Sequence, residues 1–187
     1  MWSYQKTLQY PVNIKNPNPA LAKLIITQLG GPDGELGASL RYLSQRYAMP
    51  YKECIGILTD IGTEELGHME MISAIVYQLT RNLTPEQLRE GGFDAYFVDH
   101  TTGIYPVAAS GVPFSADTFQ STGDAIADIS EDMAADGTTT KEQPVKMKCR
   151  KPLILLDFSA FSGCTSLTAL QPYKDNKRLK SSKSYER

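Results

Sequence analysis

Several things are scarce in this chain, and each scarcity removes a class of explanation. No apolar run in its 187 residues approaches the roughly 20 that a helix needs to cross a membrane. Charge of one sign is lacking too: 21 acidic side chains meet 19 basic ones, a net of −2, which argues against nucleic acid or a membrane surface as partner. Three cysteines, Cys54, Cys149 and Cys164, leave one unpaired in any scheme and have no metal-type spacing. They read as ordinary thiols of a reducing compartment. The opening Met1-Trp2-Ser3-Tyr4-Gln5-Lys6 lacks the charged-then-apolar pattern of a secretory signal. Histidine occurs twice, at His68 and His100, and never after. A soluble intracellular product is expected, with enough apolar content (41%) for one core.

What is present starts with a helix. Leu58, Ile61, Glu65, His68, Ile72, Ile75 and Leu79 follow one another at alternating steps of three and four. Five apolar side chains mark the inward face, and a carboxylate and an imidazole share it. Burying an ionised carboxylate costs several kcal/mol unless something compensates. A metal ion is the commonest compensation for Glu and His three apart on a helix facing a bundle core. A Glu–His pair satisfied by hydrogen bonds alone is the competing reading, and metal stands modestly ahead of it.

A second carboxylate precedes this helix. Gly30-Gly31-Pro32-Asp33-Gly34-Glu35 leads into Leu36, Leu40, Leu43 and Tyr47, an apolar stripe at steps of 4, 3 and 4. Glu35 and Tyr42, seven apart, lie on nearly one line at the border of that stripe. By itself Glu35 is a first-turn carboxylate favoured by the helix dipole. One short connection ahead of a Glu-x-x-His helix, it also gives half of a carboxylate-bridged dinuclear site. The two helices are expected at about residues 34–48 and 50–80.

Around them, Tyr4–Tyr10 alternates like a short extended arm. Asn18-Pro19 opens a first helix that stops at Gly30-Gly31. Thr84-Pro85-Glu86-Gln87 opens another, which Gly91-Gly92 ends. Residues 93–122 carry Gly, Pro and scattered aromatics without a helical period, as in a long functional or partner-covering loop. His100, beside Asp99, reads there as a loop-anchoring histidine, with a smaller prospect of being a ligand. Helix returns from Asp124 through Ala135. The character then switches: residues 1–137 hold 8 basic and 17 acidic side chains, whereas 138–187 hold 11 and 4. This basic tail has no helical stripe and reads as a low-order segment.

The residues from Gly30 to Gln45 (GGPDGELGASLRYLSQ) and from Leu58 to Met71 (LTDIGTEELGHMEM) resemble the manganese catalases. LQYPV at residues 8–12, TPEQLREGG at 84–92 and Ala109-Ser110-Gly111-Val112-Pro113-Phe114 are similar to their spore-coat branch in endospore-forming bacteria. The resemblance covers about residues 1–136. It implies an all-α, ferritin-like four-helix bundle holding two manganese ions and disproportionating hydrogen peroxide. It further implies Glu35 as a ligand of the first metal, Glu65 as the bridge, His68 as completing the first metal's set, and Tyr42 as a hydroxyl orienting Glu35.

The family takes a further Glu from its third bundle helix and a His from its fourth. Here Asp136 stands where that Glu is expected, followed by Gly137 and the tail, and no His follows. The bundle is therefore expected to be incomplete: a manganese-catalase-like domain over 1–136 and a divergent tail over 137–187. Asp136 is a candidate ligand, a methylene shorter. So abrupt a switch suggests a reading-frame change in the coding sequence, a hypothesis that fails if no frame beyond codon 136 encodes a Glu-bearing helix and a His.

Three readings follow. One is a dimanganese catalase of a sporulating cell, made in the mother-cell cytoplasm and carried into the coat. Another is a structural spore-coat protein, assembling with other coat proteins after losing half its site. The third is a single-metal or di-iron ferritin-like protein with ligands from a neighbour or His100, since Glu-x-x-His bundles host iron as readily as manganese. Helices lacking their partners should leave the Leu58–Leu79 and Leu36–Tyr47 stripes partly uncovered and favour a homo-oligomer.

Overall fold

The computed structural model describes Ser3, Gln5 and residues 7–94, 104–118 and 120–139, with side chains in the last helix described to Ala135. Five α-helices occur among these residues: α1 Pro19–Gly30, α2 Glu35–Gln45, α3 Lys52–Thr80, α4 Pro85–Glu90 and α5 Ala125–Thr139. Single 3-10 turns lie at Arg46–Ala48 and Ala116–Thr118. The described residues contain no strand, only an isolated antiparallel bridge between Val107 and Pro113. The arm expected at Tyr4–Tyr10 lies partly outside the described residues, and where described it bends. His100, Cys149, Cys164 and the tail from residue 140 also lie outside them.

The helix boundaries follow from local chemistry. Asn18, in extended backbone, accepts the Leu21 N–H on its Oδ1 at 3.0 Å, and Pro19 fills the first helical position. Thr84 and Gln87 exchange side-chain and backbone bonds in a capping box that starts α4. The 29 residues of α3 contain no proline.

The chain divides into two compact units: Met1–Leu40 with Gly62–Phe119, and Arg41–Ile61 with the residues from Gln120 onward. In the first, α1 buries Ala22, Ile25, Ile26 and Leu29, and α3 buries Met71, Ile72, Ile75, Val76 and Leu79. Each of these Ile, Leu, Val and Met side chains contributes about 1.5–3 kcal/mol on burial. The segment before α1 is tied to the end of α3. Gln78 Nε2 donates to the Val12 carbonyl, Gln78 Oε1 accepts the Ile14 N–H, and Arg81 donates to the Ile14 carbonyl.

The loop from Tyr105 to Phe114 seats on the end of α1. The Phe114 N–H donates to the Pro106 carbonyl, and the Ala109 N–H donates to Thr27 Oγ1 at 2.7 Å. A Cβ at Gly30 would fall inside the Pro106–Val107 backbone, so this position admits only glycine. The loop thereby fixes the turn that leads into Glu35.

In the second unit Cys54, Leu58, Ile61 and Ile129 are buried together with Arg41, Gln45, Asp128 and Asp132. Burial, then the neighbouring Glu53, pushes the Cys54 thiol up, away from the reactive thiolate.

The two stripes behave oppositely. Every member of the α3 stripe, Leu58 to Leu79, is buried, so the expectation that it is partly uncovered does not hold. Along α2 and the 3-10 turn that follows it the apolar stripe is the outer one: Leu40 is 40% and Tyr47 80% exposed, with Leu36 and Leu43 half-buried. Glu35, Ser39, Tyr42 and Gln45 are buried instead. Polar groups tolerate burial when they are satisfied, and the Ser39 hydroxyl and the Gln45 amide nitrogen find partners. Ser39 Oγ donates to the Gly62 carbonyl at 2.7 Å, and Gln45 Nε2 donates to Asp132 Oδ1 and the Gln120 carbonyl.

Candidate metal centre

The first unit brings Glu35, Glu65 and His68 together. Glu35 is the first residue of α2, set there by the turn from Gly31 to Gly34, in which the Gly34 N–H donates to the Gly31 carbonyl. Glu65 and His68 are one turn apart on the buried face of α3. Their exposures are 8%, 3% and 1%. His68 Nδ1 lies 2.6 Å from Glu65 Oε2 and 3.9 Å from Glu35 Oε2. One ligand atom from each residue falls within 4.8 Å of the others.

This donor set fits a divalent cation. Two buried carboxylates against one imidazole leave the trio with net negative charge even when the ring is protonated, and burial makes such charge expensive. Hard carboxylate oxygens with one imidazole nitrogen suit manganese or iron.

Of the other expected residues, Tyr42 is buried on α2, seven residues beyond Glu35. Asp136 belongs to α5, but its side chain lies outside the described residues, as does His100. Sequence reasoning did not single out Glu64, whose Oε1 is 4.0 Å from His68 Nε2 on the ring's far side. The four-residue spacing was the available signal. Nor did it single out Gln45 and Asp132, both buried polar residues of the second unit.

Comparison with known proteins bears on this geometry. The family described as manganese containing catalase matches residues 1–147. The chain belongs to the manganese catalase family. Within that family it is 56% identical over 136 residues to Protein CotJC of Bacillus subtilis (strain 168), covering 73% of this chain and 71% of that one. It is 32% identical over 139 residues to a probable manganese catalase of Clostridium acetobutylicum, and the match covers 61% of that protein's length. The crystal structure of KatB, a manganese catalase from Anabaena PCC7120, superposes with a TM-score of 0.77 at 26% identity, over 92% of this chain and 80% of that one. The fold is the ferritin-like helical fold of these proteins.

Proposed function

We propose that this chain is a manganese-binding protein acting on hydrogen peroxide, with Glu35, Glu65 and His68 as one half of its metal site. The convergence of these three buried donors carries the reading. The family's manganese chemistry is taken over because the donor set suits it; iron is the alternative ion. Manganese, when bound as a pair, supplies the electron changes by which one peroxide is oxidised to dioxygen and two protons while another takes up those protons and electrons to become two waters. The chain's own contribution is positional. Glu35 and Glu65 offer anionic oxygens, His68 offers Nδ1, and burial excludes bulk water.

Residues 1–136 form the family domain in this reading, and 137–187 are a divergent tail. The second Glu–His pair is not supplied in the family's pattern: Asp136 is the remaining candidate, and no histidine follows residue 100. That observation favours a second reading, in which the chain is a structural spore-coat protein without turnover. The spore coat as location, reached from the mother-cell cytoplasm, and other coat proteins as partners rest on the motifs shared with the spore-coat branch. Homo-oligomer formation is supported by the outward stripe of α2; sedimentation as a clean monomer would refute it.

Elemental mass spectrometry on protein made with manganese supplied decides between the readings, together with oxygen evolution from peroxide. About two manganese per chain with oxygen release supports the catalase. No bound metal, with normal folding, supports the structural protein.

A further inference from the structure

Gln45 and Asp132 are both fully buried within the second unit, one at the last residue of α2 and the other midway along α5. The amide orientation of Gln45 is fixed by its donors. Nε2 gives one bond to Asp132 Oδ1 at 3.0 Å and one to the Gln120 carbonyl at 2.9 Å. Turning the amide over would set its oxygen against two acceptors. In the orientation found, Gln45 Oε1 and Asp132 Oδ2 are two buried oxygens with no donor among the described residues. Buried acceptors of this kind are rare and call for an explanation.

A carboxylic acid and a primary amide present matching edges, each with one donor and one acceptor. A single proton would therefore satisfy both oxygens. We propose that Asp132 is held as the neutral acid, with Gln45 Nε2–H donating to Asp132 Oδ1 and Asp132 Oδ2–H donating to Gln45 Oε1, so that α2 and α5 are latched by a proton that is lost on alkalinisation.

The surroundings agree. Burial is the largest influence and pushes the Asp132 carboxyl up to about 7; the Gln45 bond and Arg41 oppose it, while Asp128 and Glu131 reinforce it. Among the described residues these are the charged groups that bear on it: Arg41 from α2, with Asp128 and Glu131 from α5 itself. Asp128 cannot take over as partner, because its carboxylate already accepts from the Thr122 N–H and hydroxyl and from the Gly123 N–H. Loss of the proton would leave a buried carboxylate oxygen facing no donor, and the α2–α5 contact would weaken.

Infrared difference spectroscopy of the full chain between pH 5.5 and 8.5 tests it. Ordinary carboxyls are ionised at pH 6, so the expected result is a protonated-carboxyl band of one group per chain at pH 6 that disappears by pH 8.5. Asp132→Asn should abolish the band and flatten the dependence of melting temperature on pH, because the amide N–H replaces the acid O–H toward Gln45. Gln45→Leu, which keeps Asp132 but removes its partner, should shift the band's frequency. Absence of the band in the unaltered chain at pH 6 would overturn the proposal, leaving a bound water or cation to satisfy the two oxygens. So would a band that Gln45→Leu leaves in place.

Discussion

His68 Nδ1 lies 2.6 Å from Glu65 Oε2, both on the inner face of α3, and Glu35 Oε2 reaches the same nitrogen at 3.9 Å from the start of α2. Three donors gathered in this way are pre-arranged by two rigid elements, so their loss should register in metal affinity before it registers in folding.

Accordingly, Glu65→Gln and His68→Ala should each lower manganese affinity by ~100-fold or more, since removal even of outer partners costs about 10–100-fold. Elemental analysis after dialysis reads this directly. Glu64→Gln, altering a half-exposed carboxylate 4.0 Å from the ring's other nitrogen, should leave the metal content unchanged. Equal metal content in Glu65→Gln and the unaltered chain would remove Glu65 from the site.

The outward turn of the α2 stripe predicts an inverted response to mutation. Leu40→Ala, at a 40% exposed position, should change stability by less than about 0.5 kcal/mol. Ser39→Leu, one residue away and fully buried against the Gly62 carbonyl, should cost roughly 1–3 kcal/mol by overpacking and loss of a bond. Urea midpoints of the two variants check this. The opposite order would put the apolar stripe inside.

At Gly30 the close approach of Pro106 and Val107 leaves no room for a side chain. Gly30→Ala should destabilise by at least ~1–3 kcal/mol, because the carbons that would be struck are backbone and yield only by moving the loop. Thermal unfolding measures it. The loop also braces the turn before Glu35, so reduced manganese uptake should accompany the loss.

Stability should fall as pH rises between about 4 and 7. An unfolded Asp132 titrates near its ordinary value of 3.8, whereas in the folded chain burial holds it up to about 7. Below both values each state carries the proton and the contribution is whole. Between them the folded state alone keeps it, so the unfolded state gains by ionising; above 7 the loss is complete. The size is on the order of 2–4 kcal/mol. Denaturant midpoints at pH 5, 6, 7 and 8 follow it against Asp132→Asn, which should lack this component.

The sequence alone carried the helical plan, because its signals are local. Asn18-Pro19 and the Thr84–Gln87 box state where helices begin through bonds made within one turn. Periodicity along Leu58–Leu79 stated which face of α3 is buried, and so placed Glu65 and His68 inside. The pairing of these two with Glu35 was legible as a motif. The inner face of α2 was not. An apolar stripe predicts burial only while polar residues lack partners, and the partners of Ser39 and Gln45, the Gly62 carbonyl and Asp132, lie 23 and 87 residues away. Which polar groups find each other across such distances is settled by packing, and packing therefore decided that α2 turns its carboxylate, hydroxyl and amide inward.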